Sequence, residues 1–340
     1  VPALVFGVVF VAVVFIAGYL VWLARYGYPA PDTPQVLCFH KISDRFCWEG
    51  TWTTPARFFA YIDRLRVLGY RFIGMEQYLA DVTSGRPGGP RVLLTFDDGY
   101  RELYDVVLPG LESRGVPFHV FLVTDYVGGQ NDWELSLGRR AFRHLDWNQI
   151  EDMASRGVTF GSHGATHRDM TGVGSGEVRA ELERSKVAIQ ERIGTPVRTV
   201  SYPFGRYDES VKTVVKELGF VAAFSLYPSH PNSHFDPHAV RRCAVYIIDP
   251  VALIETKLEP GPLFWLEELK CRAINAVAVL TPSLKRFTRD RSPGDGPPRH
   301  PLRPDRDTGC RSGRDSRGAR PQQPAPVETG SPATQRRRGR

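Results

Sequence analysis

Short apolar runs alternate with helical patterns from Asp32 to about Asp249, and no other feature limits the architecture of this chain as strongly. The candidate strands are Val36–Phe39, Arg71–Ile73, Val92–Phe96, Phe118–Val123, Thr159–Ser162, Thr199–Tyr202, Val221–Phe224 and Val240–Val245. The helices between them carry their own punctuation. Thr54 caps one that has Pro55 at its first position, and Gly69 stops it. Asp146 and Gln149 have the spacing of a capping box ahead of Ile150 and Met153, with Gly157 at the far end. A longer helix is expected from about Ser175 to Ile193, and another from Asp208 to Leu218 before Gly219. Strands that alternate with helices in this way pack as a parallel sheet, either open or closed into a barrel. In both forms, chemistry belongs in the loops at the C-terminal ends of the strands.

Composition excludes several classes. Hydrophobic residues make up 42% of the 340 positions and charged ones 24%, so wholesale disorder is ruled out. The net charge of +7 is confined to one end: residues 289–340 hold 13 Arg, no Lys and 6 Asp or Glu. The first 288 residues are left with 31 basic and 31 acidic side chains, so the folded part is neutral and no nucleic-acid partner is expected. Five scattered cysteines with no C-x-x-C exclude a disulfide framework and a cysteine zinc site.

The ends of the chain differ from its middle. Ala3 to Ala24 run 22 positions without a charge, enough to span about 30 Å of hydrocarbon. Tyr19, Trp22 and Tyr26 stand where an interfacial aromatic belt would lie. A retained single-pass membrane anchor is therefore expected, against a cleaved signal peptide or a buried core helix. Arg25, Lys41 and Arg45 follow it, a pattern that taken literally favours a cytoplasmic C-terminal side. The domain that follows is nevertheless expected outside the cytoplasm. At the other end, residues 289–340 hold 9 Pro, 7 Gly and no aromatic residue, the composition of a disordered basic tail. Before the tail, Leu263, Leu266, Leu269, Ile274 and Val277 recur near helical spacing. That amphipathic helix could pack on the domain or lie on lipid, and packing is the expectation. The expected organisation is an anchor and flank at 1–28, a strand–helix domain at 29–255, a helical extension at 256–288 and the tail at 289–340.

Four strand ends carry polar residues. Val92–Phe96 runs into Asp97-Asp98-Gly99, and two adjacent carboxylates at the mouth of a buried strand need a compensating cation. Alone, the motif could be a surface Asp-Gly turn. Thr159–Ser162 ends in His163, with His167 four positions on. Two imidazoles so spaced can grip one ion, although a lone H-x-x-x-H is by default two unrelated surface histidines. One carboxylate and two histidines, each just past a strand, make a facial triad with positions left open. Ser201-Tyr202-Pro203-Phe204-Gly205 breaks the chain after a strand; it could shape only a loop, or aim an amide N–H at an oxyanion. Val36-Leu37-Cys38-Phe39 ends in His40, whose value depends on its convergence with the others.

Together these residues resemble the polysaccharide deacetylase family of carbohydrate esterases, whose catalytic unit is the NodB-homology domain. The matching pieces are Thr95-Phe96-Asp97-Asp98-Gly99, Ser162-His163-Gly164-Ala165-Thr166-His167 and Tyr202-Pro203-Phe204-Gly205. The early His40 motif is similar to the permuted branch that deacetylates poly-N-acetylglucosamine. The resemblance covers roughly residues 35–250. It implies a distorted (β/α) barrel and a metal-dependent N-deacetylase acting on N-acetylglucosamine units of a polysaccharide. By position, Asp98, His163 and His167 would bind a divalent ion, zinc by default, with cobalt, nickel or iron also acceptable. Asp97 would be the general base, His40 the general acid with an ordinary histidine pKa near 6.5, and the Phe204 amide would help to hold the oxyanion. Many family members carry an arginine where Ser201 stands here. The arginine that orients the base is then expected from Arg241 or Arg242, with Arg242 preferred. Within the same fold, a peptidoglycan or chitin-oligomer deacetylase and an inactive glycan-binding domain are the competing readings. Trp133, in the loop 124–146, is a candidate sugar-stacking residue.

Overall fold

The computed structural model describes residues 13–21, 35–45, 50–84, 90–130, 142–226 and 235–258, together with 267, 269–271, 273 and 274 of a C-terminal helix. The predicted strands form one parallel sheet: β1 (Gln35–Phe39), β4 (Arg71–Ile73), β5 (Arg91–Phe96), β6 (His119–Leu122), β7 (Thr159–Ser162), β8 (Thr199–Ser201), β9 (Ala222–Ser225), β10 (Val240–Arg241) and β11 (Cys243–Ala244). A separate pair, β2 (Lys41–Ile42) and β3 (Trp52–Thr53), was not expected; two-residue strands leave no periodic signal. The main order is β10-β9-β8-β7-β6-β5-β1-β11, with β4 on β5 outside that path.

The two ends of this path are one stretch of chain. β10 pairs with β9, β11 pairs with β1, and a single residue, Arg242, lies between them. Residues 240–244 thereby bridge the two edges, and the sheet becomes a nearly closed barrel. The single strand expected over Val240–Val245 is thus broken at Arg242, because its halves bond to different neighbours.

Alternation along each strand sorts side chains between the helical layer and the barrel interior. Leu37, Val92, Leu94, Val120, Leu122, Phe160, Val200 and Ala223 join the main core under the helices. The opposite parity, including Val36, Leu93, Phe121, Ala222, Phe224 and Val240, forms a second cluster. Polar residues share that second parity. His119 closes the lower interior through bonds to Thr159 Oγ1 (2.7 Å) and Thr199 Oγ1 (3.0 Å). Gly161 makes room for it: a Cβ there would stand 2.7 Å from His119 Nε2.

The helices begin and end as their punctuation predicts. Pro55–Val67 starts at Thr54, whose Oγ1 accepts from the Arg57 N–H at 3.3 Å. Trp147–Ser155 has both bonds of the capping box, and Ser175–Ile193 and Glu209–Glu217 match their expected spans. Met75–Ser84 and the π-to-α segment Leu103–Glu112 were not anticipated, being short runs with few periodic apolar positions.

The C-terminal helix packs on the domain. Cys271 is buried beside Cys38, Leu226, Ala244 and Tyr246, and Ile274 packs against that group, while Leu269 is exposed. Leu263, Leu266, Val277, Trp133 and the tail 289–340 lie outside the described residues. Residues 13–21 are helical, and the rest of 3–24 also lies outside the described residues. Among the described residues no helix is long and apolar enough to cross a membrane.

Candidate metal centre and active site

The parity that fills the barrel also carries its chemistry to one mouth. Counting by twos from Val36, Leu93, Thr159 and Thr199 reaches His40, Asp97, His163 and Ser201, each at or just past a strand end. Ladder bonds continue one step further: Asp97 N–H donates to Phe39 O (3.0 Å) and His163 N–H to Leu122 O (2.8 Å). The five residues His40, Asp97, Asp98, His163 and His167 come together in two adjoining clusters. In each, Cys38–His40–Asp97 and Asp98–His163–His167, the potential ligand atoms lie within 4.8 Å of one another.

The adjacent carboxylates part company. Arg242 Nη1 and Nη2 donate to Asp97 Oδ1 and Oδ2 at 2.7 Å each. Ser201 Oγ accepts from Arg242 Nη2 (2.7 Å) and donates to Asp97 Oδ2 (3.2 Å), while Thr95 Oγ1 accepts from Nη1 at 3.3 Å. Arg241 pairs with Ser225 on β9 and takes no part in this cage. Asp98 adopts φ 69° and turns the other way: its Oδ1 lies 3.7 Å from His163 Nε2 and 3.5 Å from His167 Nε2.

Among the described residues only Asp98, His167 and Phe204 have positive φ without being glycine, and all three are at this site. Asp and His tolerate the left-handed region better than most residues; a phenylalanine there is a true outlier, and such strain of about 1–3 kcal/mol persists only where surroundings enforce it. Phe204 lies in the Pro203–Gly205 turn after β8, its ring 4.8 Å from that of His167.

Burial and charge set the protonation states. Burial pushes the Asp97 carboxyl up, but the Arg242 guanidinium outweighs it and holds the group well below the usual carboxylate range. Burial lowers His163 and, more strongly, His167, so both imidazoles are neutral. Burial also lowers His40, to about 4, with Asp97 opposing the shift. This departs from the ordinary pKa expected for that histidine. Its Nδ1 is buried with no hydrogen-bond partner among the described residues.

The donor set of Asp98, His163 and His167 fits a divalent ion. His163 Nδ1 lies 2.8 Å from Ser201 O, and a carbonyl can only accept, so the proton is on Nδ1. Nε2 then presents a lone pair toward the Asp98 carboxylate, an arrangement that repels unless a cation lies between. The separations of 3.5 and 3.7 Å are close to the roughly 3.4 Å edge of a tetrahedron with metal–ligand bonds of about 2.1 Å.

Cys38, Thr95 and Ser201 belong to the site's wall, and sequence reasoning had not given them that place. The signal was the alternation, which puts Cys38 two positions before His40 and Thr95 two before Asp97. His144 was also missed; it precedes the capping box at Asp146 and has no motif of its own.

Residues 84–223 match the family model for polysaccharide deacetylases, a span that holds Asp97, Asp98, His163, His167 and Phe204. YxkH of Bacillus subtilis is 24% identical over 217 residues, which are 63% of this chain and 72% of that protein. The poly-beta-1,6-N-acetyl-D-glucosamine N-deacetylase of Staphylococcus epidermidis is 22% identical over 204 residues, 56% of this chain and 67% of that one. In fold, IcaB from Ammonifex degensii superimposes with a TM-score of 0.55 at 22% identity, covering 67% of this chain and 96% of that structure.

Proposed function

We propose that this protein removes N-acetyl groups from N-acetylglucosamine units of a cell-surface polysaccharide, using a divalent ion, zinc by default, held by Asp98, His163 and His167. The observation that carries the reading is the divergence of the two aspartates, one clamped by an arginine and the other turned onto two neutral histidines. The polysaccharide relatives supply the substrate class. A glycan-binding domain without activity would have no use for five such residues at one mouth.

Amide hydrolysis needs an activated water, a stabilised oxyanion and a protonated leaving amine. An ion bound here would lower the pKa of a water from about 15.7 toward about 7 and polarise the acetyl carbonyl. Asp97 takes the water's proton at Oδ2, the oxygen that faces His163 Nε2 across 3.7 Å. Arg242 keeps Asp97 ionised and fixes its plane, at the expense of basicity, so the carboxylate serves as base only toward a water already made acidic. The Phe204 turn offers its amide to the oxyanion. His40 protonates the leaving nitrogen. Being neutral in the free protein near pH 7, it first takes up a proton from solvent as negative charge builds at the reacting centre, and gives that proton to the nitrogen as the C–N bond breaks.

The N-terminal run belongs to the same proposal as a membrane anchor that leaves the catalytic domain outside the cytoplasm. Its described part is apolar and exposed, with Val13, Ile16, Leu20 and Val21 open to the surroundings. Full-length protein released from membranes by alkaline carbonate would defeat the anchor. For the activity, acetate release from poly-N-acetylglucosamine is measured before chelation, after it, and after divalent ion is restored. Loss and recovery are expected; release unaffected by chelation would remove the metal from the reading.

A further inference from the structure

The turn that aims Asp98 is held from outside the motif. The segment Phe142–Leu145 runs alongside Asp98–Arg101, with Leu145 N–H donating to Gly99 O (2.9 Å) and Arg101 N–H to Arg143 O (2.9 Å). Between these bonds the buried His144 reaches the Asp98 carbonyl oxygen through Nδ1 at 2.9 Å. The carbonyl only accepts, so His144 donates and its proton is on Nδ1. Its ring packs against two others, 4.9 Å from the Tyr100 ring and 5.7 Å from that of Tyr126, and its own N–H donates to Gly129 O at 3.0 Å. A residue so immobilised presents its donor at a fixed point. The group it holds belongs to Asp98, a non-glycine residue at φ 69°.

We infer that His144 is a positioning residue for the metal centre: by binding the main-chain carbonyl of Asp98 it holds the left-handed turn that directs this carboxylate onto His163 and His167. The inference rests on the metal reading proposed above. Partners that orient ligands without touching the ion are worth about 10–100-fold in metal affinity. His144 differs from the usual case in acting on the ligand's backbone. Its loss would let Asp98 relax toward an ordinary φ, which swings the side chain away from the histidine pair.

Two substitutions separate the hydrogen bond from the packing. His144→Phe keeps a ring beside those of Tyr100 and Tyr126 but has no donor. His144→Asn gives up the ring and keeps an amide N–H at the same distance along the side chain as Nδ1. Co2+ binding to the metal-free full-length protein, followed by its visible absorption, reads the site without any substrate. His144→Phe should bind about 10–100-fold more weakly and with an altered spectrum, and His144→Asn should recover most of the affinity. Wild-type affinity and an unchanged spectrum in His144→Phe would overturn the inference while leaving the metal reading intact. Failure of the wild type itself to take up one ion would overturn both.

Discussion

Asp97 and Arg242 stand 145 positions apart in the chain and meet inside the barrel through two hydrogen bonds of 2.7 Å, with no other residue between them. Topology makes the meeting possible. Arg242 is the one residue between β10 and β11, where the strand leaves β9 for β1, so its side chain enters the barrel at the seam beside the end of β5. Removing the guanidinium should strand a buried carboxylate. Arg242→Met is expected to cost about 3–5 kcal/mol of stability, read from denaturant unfolding. Arg242→Lys should unfold nearer to wild type but release acetate at least about tenfold more slowly, since an ammonium cannot fix the carboxylate plane. Equal turnover in Arg242→Lys would show that orientation of Asp97 is unimportant.

The aspartates should separate just as cleanly by substitution. Asp98→Ala removes one of the three proposed ligands and should abolish retention of a divalent ion during gel filtration. Asp97→Asn keeps the side-chain shape and leaves the Asp98–His163–His167 set untouched, so ion content should stay near one per chain while acetate release falls by about 10²-fold or more. Metal analysis and product assay on the same preparations decide it. Full turnover by Asp97→Asn would remove Asp97 from the role of base.

The fold was legible because period-two alternation, helix caps and glycine stops are local signals, and each acts where it is written: Thr54, Asp146 and Asp208 all cap the helices they precede. The Asp97-Asp98 and His163/His167 motifs were legible for a related reason, since a strand's parity fixes which of its flanking residues face inward. What depends on contacts between distant segments was harder to see. The break at Arg242 arises from two different sheet neighbours, which no stretch of five residues encodes. His144 is important only through the carbonyl it meets, 46 positions away, and backbone partners leave no side-chain pattern to read. The lowered His40 likewise comes from enclosure by other strands, not from its own neighbours in sequence.

Acid sensitivity should follow from the barrel interior. Burial, and then the charge of Arg242, lowers His119 to about 3, whereas the unfolded chain titrates near 6.5. Between those values the unfolded state holds a proton that the folded state refuses, so stability is complete above about pH 6.5 and is lost as pH falls toward 3. The slope for this one group is at most about 1.4 kcal/mol per pH unit. His40, His163 and His167 are shifted in the same direction and steepen the decline in metal-free protein. Denaturant unfolding of chelated protein from pH 7 to 4 should show the decline, and His119→Gln should flatten it by close to one proton. An unchanged slope in that variant would place the sensitivity elsewhere.

The C-terminal helix should prove to be part of the domain. Lys257 is buried and pairs with Asp249 (2.8 Å) and Glu267 (2.7 Å), and Lys270 joins the same two carboxylates. The Asp249 carbonyl in turn accepts from Tyr61 Oη at 2.6 Å, which ties the network to the helix Pro55–Val67. Under it, Cys271 and Ile274 belong to the apolar cluster that holds Cys38, whose Sγ lies 3.7 Å from Asp97 Oδ2. A chain ending at Leu258 would lose two apolar side chains from this cluster, worth about 1.5–3 kcal/mol for each that is fully buried, and Lys257 would lose one of its two carboxylate partners. At about 2–4 °C per kcal/mol, the melting temperature should fall by roughly 5 °C or more. Alkylation mapped by mass spectrometry should then find Cys38 reactive in the shortened chain and protected in the full one. A shortened chain that melts as before, with Cys38 still protected, would mean the helix is merely appended and the barrel closes without it.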